Sequence, residues 1–161
     1  MVFCAAEFAV TTLASYDTIP YDSIPITDTH VETMAATVRP LGVAEAHPRQ
    51  CRVLELGCAE GGNLIPMAFY LPEARFVGID LSREQVAAGK TLIAELGLTN
   101  VQLLHRDVTD GADDLGEFDY IIAHGLYSWV PAPVRKKFLN LCARRLAPNG
   151  IAYVSYNTLP G

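Results

Sequence analysis

From Cys51 onward the chain alternates between short unbroken apolar runs and longer stretches in which apolar residues recur every three or four positions. The short runs predict strands, and the recurring stripes predict helices that bury one face. Strands are expected at residues 52–56, 75–79, 101–104, 118–123 and 151–156. The first intervening helix is expected at residues 64–71, with Asn63 as its cap and Pro66 in its first turn, where a missing N–H does no harm. The second opens at a capping box of Ser82 and Gln85, buries Val86, Gly89, Ile93 and Leu96, and stops at Gly97. A third is expected at residues 134–146, with Arg144 and Arg145 in the last turn where they favour the dipole. Strands alternating with helices through short connections predict an α/β fold, a parallel sheet covered on both faces.

The first fifty residues follow a different pattern. Tyr16 to Pro25 reads YDTIP then YDSIP, a doubling in which each proline fixes an extended backbone. Thr29 and Glu32 have capping-box spacing, so a helix is expected at residues 30–39, with Val31, Met34, Ala35 and Val38 inward and Pro40 and Gly42 ending it. This divides the chain into an arm or lid at residues 1–49 and a core at 50–161.

Composition narrows the function. The length of 161 residues, half of them hydrophobic, suffices for a sizeable core. A net charge of -6 leaves no basic stripe, so a nucleic-acid backbone is not expected as the main partner. No apolar run approaches the roughly 20 residues that cross a bilayer, and no membrane partner is expected. The apolar opening lacks a basic n-region and carries Glu7, so a cytoplasmic location is expected. Cys4, Cys51, Cys58 and Cys142 have no metal-type spacing and read as reduced thiols, with no metal site.

The chemistry-bearing residues gather at the strand ends, where ligands bind in an open parallel sheet. Gly57, Gly61 and Gly62 follow strand one and let the backbone turn tightly beside a ligand, with Glu55 two residues upstream. Asp80 ends strand two, where a carboxylate can accept both hydroxyls of a ribose. Asp107 lies past strand three, positioned to accept from an adenine amino group. His124 and Gly125 leave strand four; Tyr127, Ser128 and Trp129 follow, and Asn157 follows strand five. His30 could approach the same cleft if the arm closes, while His47 and His105 read as surface or structural. A phosphate-binding P-loop is excluded because G-K-S/T is absent. A dinucleotide fold wants G-x-G-x-x-G, and Gly57 is followed by Cys58 and Ala59, although Asp80 lies at about the right distance for that alternative.

These segments, ELGCAEGG, VGIDLS, RDV, FDYIIAHG and LAPNGIAYVSY, resemble the class I S-adenosylmethionine-dependent methyltransferases over nearly all of residues 51–161. The resemblance implies a Rossmann-like, doubly wound, mostly parallel sheet of strand order 3-2-1-4-5, with the cofactor S-adenosyl-L-methionine. It implies cofactor contacts from Glu55, Gly57, Cys58, Ala59, Gly61, Asn63, Asp80, Leu81, Asp107, Val108, His124 and Gly125, with His124 and Tyr127 as catalytic candidates. The methyl acceptor, a protein side chain or a small molecule, stays open. A binding module without catalysis is the alternative. YDTIPY, GCAEGGNLIPMA, HGLYSWVP and YNTLPG resemble more narrowly the bacterial methyltransferases with a C-terminal methyltransferase regulatory domain, some relatives of which are associated with protein lysine methylation. Two departures stand out. Ala59 occupies the usual middle glycine of the turn, and a helix and final antiparallel strand pair do not follow strand five before Gly161. The chain is therefore expected to be an excerpt of a longer protein or to lack a partner chain.

Overall fold

The computed structural model describes residues 23–110 and 112–158, so most of the Tyr16 to Pro25 doubling lies outside the described residues. The elements in order are α1 (Val31–Val38), β1 (Arg52–Leu56), α2 (Leu64–Tyr70), β2 (Arg75–Asp80), α3 (Arg83–Glu95), β3 (Val101–His105), β4 (Phe118–Ala123), α4 (Ala132–Arg145) and β5 (Leu146–Val154), with short 3-10 turns between several of them. The five strands form one sheet of order β3-β2-β1-β4-β5, and every pairing is parallel. This is the order that reverses between β1 and β4 and opens a crevice at their carboxyl ends.

Burial explains the layering. Val53 faces one side of the sheet with Phe76, Leu103, Tyr120 and Ile122, and Val31, Met34 and Ala35 of α1, Leu64, Ile65, Met67 and Ala68 of α2 and Val86 and Ile93 of α3 pack there. Leu54, Leu56, Ile79, Ile121 and Ala123 face the other side, closed by Phe138, Leu141 and Cys142 of α4. A strand buried on both faces reads as a continuous apolar run, which is why β1 and β4 lack alternation. Cys51, Cys58 and Cys142 are buried and unpaired, and burial raises all three thiols, Cys51 to about 12 and Cys142 to about 11. Among the described residues no helix is long and apolar enough to cross a membrane.

The boundaries differ from the sequence pattern where local polar bonds decide them. Thr29 is fully buried in a 3-10 turn and does not cap α1; the cap is His30, whose Nδ1 accepts from the Glu32 amide at 3.3 Å. That role ties His30 to its own helix. Asn63 has αR geometry and no capping bond, because its side chain is committed elsewhere. Ser82 caps α3 as expected, accepting from the Gln85 amide. α4 begins at Ala132, two residues before the expected start, directly after Pro131. β5 begins at Leu146 rather than Ile151, because Leu146 pairs with Phe118 before a register shift leads to the Tyr120 and Ile151 pair.

Two buried polar contacts fix the outer elements. The Tyr120 hydroxyl donates to the Ala46 carbonyl at 2.7 Å, joining the arm to the centre of the sheet. Asn100 is 7% exposed, and its Nδ2 lies within 3.0 to 3.2 Å of the Ala68, Leu71 and Ala74 carbonyls, anchoring the end of α2 to the start of β3.

Candidate functional site

The turn after β1 is built by close packing. Gly57 and Gly61 have φ of +77° and +79°, a conformation that costs glycine little. A Cβ on Gly78 would come within 2.6 Å of the Cys58 sulfur, and one on Gly89 within 2.2 Å of the Glu60 carbonyl oxygen, so β2 and α3 press against the turn. Ala59 sits at φ +50°, in left-handed geometry where an alanine carries strain of about 1 kcal/mol. The methyl group is thus tolerated at the usual glycine position with the backbone conformation retained.

The turn's amides are mostly engaged within the protein. Gly57 and Cys58 both donate to the Ile79 carbonyl, Gly61 to the Cys58 carbonyl, Ala59 to Asp80 Oδ2 at 2.8 Å and Gly62 to Ser23 Oγ at 2.8 Å. This turn therefore offers shape and close approach more than free donors. Asp80 shows the same economy. Its Oδ1 accepts from the Ser82 amide at 2.8 Å, so both oxygens hold backbone, each keeping one further acceptor position.

The other strand ends converge on this point. The Arg106 amide donates to the Asp80 carbonyl at 2.9 Å, which sets Asp107 beside β2. Asp107 Oδ1 accepts from the Thr109 amide at 2.7 Å, and Oδ2 has no hydrogen-bond partner among the described residues. Leu81, just past β2, is 38% exposed, and Val108, just past Asp107, is partly buried against the α4 side of the core. On the β4 side, a Cβ on Gly57 would lie 3.6 Å from Leu126, which brings the loop after His124 against the glycine turn. Gly125 has φ +67° with nothing near its Cα face, and its amide donates to Ser155 Oγ at 2.7 Å. His124 stacks on Tyr153, with ring centroids 6.3 Å apart.

Glu55 is the most constrained carboxyl in the site. It is 4% exposed on β1; Oε1 accepts from Asn63 Nδ2 at 2.8 Å, while Oε2 is buried and unpaired. Burial raises its pKa to about 8; the Asn63 bond opposes that rise and the Asp80 charge adds to it. A buried carboxyl with one empty oxygen is costly unless a donor arrives, so the crevice asks for an N–H or cationic group at this spot.

Past β4 lies a cleft of about 290 Å³ lined by Tyr127, Ser128, Arg135, Tyr156, Asn157 and Thr158. Arg135 holds the loop: Nε donates to the Val130 carbonyl, Nη2 to the Ser128 carbonyl, and the guanidinium sits 5.5 Å from the Tyr127 ring centre. Ser128 Oγ accepts from the Asn157 amide at 2.7 Å, so the segments after β4 and β5 close on each other. Trp129 is 63% exposed, which places it on the surface and not in the core. A second cleft of about 470 Å³ lies between Val108, Thr109 and the Lys137 to Arg144 face of α4.

Comparison with known proteins decides the family. The methyltransferase domain family matches residues 53–150, more than half of the chain. This chain belongs to the methyltransferase domain family. Its sheet order is the one expected of the class I methyltransferase fold. An uncharacterised protein of Rickettsia prowazekii is 47% identical over 146 residues, covering 91% of this chain and 26% of that protein. The structure of PKMT2 from Rickettsia typhi in complex with AdoHcy has a TM-score of 0.85 at 37% identity, covering 88% of this chain and 27% of that one. A Geobacter sulfurreducens SAM-dependent methyltransferase solved with S-adenosyl-L-homocysteine has a TM-score of 0.57 at 26% identity, covering 94% of this chain and 55% of that one. The chain spans about a quarter of the length of the first two relatives.

Within this methyltransferase domain, the structure brings Glu55, the Gly57 to Asn63 turn, Asp80 and the Gly125 loop together through direct bonds and contacts. Tyr127 packs on Phe138, with ring centroids 6.0 Å apart, and lines the outer cleft. Sequence reasoning missed three contributors. Ser23 reads in sequence only as part of the YDSIP doubling, Thr29 only as a helix cap and Arg135 as nothing in particular, and their contacts alone reveal these roles.

Proposed function

We propose that this domain binds S-adenosylmethionine at the glycine turn and is the catalytic core of a longer methyltransferase. The side chains fit the group. Asp80 keeps an acceptor position on each oxygen for ribose hydroxyls, Asp107 Oδ2 is available to an adenine amino group, and Leu81 and Val108 offer apolar surface to the ring. Glu55 offers its one unpaired oxygen to the amino end, and the open face of Gly125 leaves room for close approach. The observation that carries this reading is that orphaned, buried Glu55 oxygen beneath a glycine turn in a domain of this family. When bound, the cofactor supplies an activated methyl on a sulfonium, and in-line displacement then depends chiefly on alignment.

His124, held parallel to Tyr153, and Tyr127, held by Arg135 and Phe138, are the groups that would face an incoming acceptor from β4. His124 can accept a proton from the acceptor, and the aromatic faces favour a cation by about 1 kcal/mol. The outer cleft is lined by polar and aromatic side chains and opens to the surface, which suits a protruding protein side chain better than an enclosed metabolite. The relatives extend well beyond the matched segment, which leaves room for a further domain such as the C-terminal methyltransferase regulatory domain of the narrower resemblance.

Calorimetry with S-adenosylhomocysteine on wild type and Asp80→Ala tests the binding half of this reading. Asp80→Ala should weaken binding more than tenfold, through loss of both the ribose acceptor and the Ala59 tether; unchanged affinity removes Asp80 from the site. Transfer of labelled methyl into cell lysate, by this chain and by a longer version, tests the catalytic half.

A further inference from the structure

The described end of the N-terminal arm does not lie beside the cofactor turn; it is bonded into it at three points. The Gly62 amide donates to Ser23 Oγ at 2.8 Å, and a Cβ on Gly62 would sit 2.0 Å from the Ser23 carbonyl oxygen, so arm backbone rests directly on the glycine. The Ile26 amide donates to Asn63 Oδ1 at 3.0 Å. Asn63 Nδ2 has two protons, and it gives one to Thr29 Oγ1 at 2.9 Å and the other to Glu55 Oε1 at 2.8 Å. Thr29 Oγ1 lies 3.0 Å from the Ile26 carbonyl, which takes its own proton and closes the ring of bonds. Thr29, Asn63 and Glu55 are 0%, 6% and 4% exposed, so the bonds that Asn63 gives to Thr29 and Glu55 are shielded from water while the arm stays docked.

The consequence concerns Glu55. Its orientation on β1 is set by Asn63, and the rotamer of Asn63 is set by two arm residues more than thirty positions upstream. Release of the arm would leave the Asn63 amide with two unmet partners and free the carboxyl to turn. We propose that Ser23 to Thr29 is a clasp on the cofactor turn, and that Thr29 and Asn63 are positioning residues which aim the unpaired Glu55 oxygen at an N–H or cationic group of the bound cofactor. This rests on the reading that S-adenosylmethionine occupies the crevice. It also assigns the arm a standing role in cofactor affinity, whatever the arm's earlier residues do.

Thr29→Val keeps the volume and removes both hydroxyl bonds, and Thr29→Ser restores the hydroxyl. Two measurements on the chain separate the clasp from the cofactor assignment. In the ligand-free protein, amide exchange at Gly62 and Asn63 should rise at least tenfold in Thr29→Val, stay as in wild type in Thr29→Ser, and leave Leu54 and Ile79 in the sheet unchanged. In calorimetry, S-adenosylhomocysteine should bind Thr29→Val about tenfold more weakly and Thr29→Ser like wild type. Should Thr29→Val fail to fold, Ser23→Ala, at a partly exposed position, should show the same rise in exchange at Gly62. Wild-type exchange at the turn in either variant overturns the clasp. Raised exchange with wild-type affinity overturns the assignment of Thr29 as a positioning residue. Raised exchange in a protein that binds no S-adenosylhomocysteine supports the clasp and overturns the cofactor reading.

Discussion

Glu55 is where this domain departs furthest from ordinary residue chemistry. A glutamate normally loses its proton near 4.5, whereas in the fold Glu55 holds it up to about 8. Between those values the unfolded chain is ionised at this position and the folded chain is not, so the contribution of Glu55 to stability is fully present below about 4.5 and is lost as pH rises through about 8. Glu55→Gln has no proton to lose. The unfolding free energy of Glu55→Gln minus that of wild type should therefore grow from pH 5 to pH 8 and then level off, read by urea denaturation across that range; parallel curves would show that the carboxyl is not buried in its neutral form. The same substitution should weaken S-adenosylhomocysteine binding, so a gain in stability would accompany a loss of function. Ala59 makes a second residue-scale prediction. Its left-handed φ is uncomfortable for alanine and far worse for a β-branched side chain. Ala59→Gly should change stability by less than about 1 kcal/mol, because relief of strain is offset by glycine's extra entropy in the unfolded chain. Ala59→Val should cost at least about 1 to 2 kcal/mol, checked by thermal unfolding.

At the scale of elements, the strands and helices were legible because apolar periodicity and capping residues agree over most of their length. Val53, Leu54 and Leu56 announce β1, and Ser82 with Gln85 announces α3. The exceptions are residues whose local signal was overruled by a distant partner. Thr29 and Asn63 look like caps in sequence but bond to each other, 34 positions apart, and Asn63 also bonds to Glu55, contacts that no local pattern encodes. Leu146 is an apolar helix-end residue in sequence and a strand residue in the fold, because Phe118 offers it a place beside β4. Asp80 was legible as a candidate at the end of β2, yet its bonds to the Ala59 and Ser82 amides were not. Packing between elements is equally exacting. Gly89 lets α3 approach the turn so closely that a methyl would meet the Glu60 carbonyl at 2.2 Å and Leu103 at 2.4 Å. Gly89→Ala should destabilise the domain by about 1 to 3 kcal/mol, despite alanine's better helix propensity, because a backbone oxygen cannot swing aside; a gain in melting temperature would contradict this contact.

For the molecule as a whole, five parallel strands bring one acid, one glycine turn and two further carboxylates to a single edge, and the arm closes over the turn from the other side of the sequence. Charge is distributed unevenly over this surface. The chain carries -6 overall, yet α4 holds Arg135, Lys136, Lys137, Arg144 and Arg145 and no acid, a concentration that net charge concealed. Arg135 and Arg145 are used within the fold, the latter near Asp113, so the basic character belongs partly to structure. The central claim is that the crevice selects an adenosyl amino acid over a dinucleotide. Titration calorimetry of the wild-type chain with S-adenosylhomocysteine, run beside NAD, tests it most directly. Saturable one-site binding of S-adenosylhomocysteine with no heat from NAD is the predicted result; NAD bound in preference, or neither ligand bound by the folded chain, would contradict it.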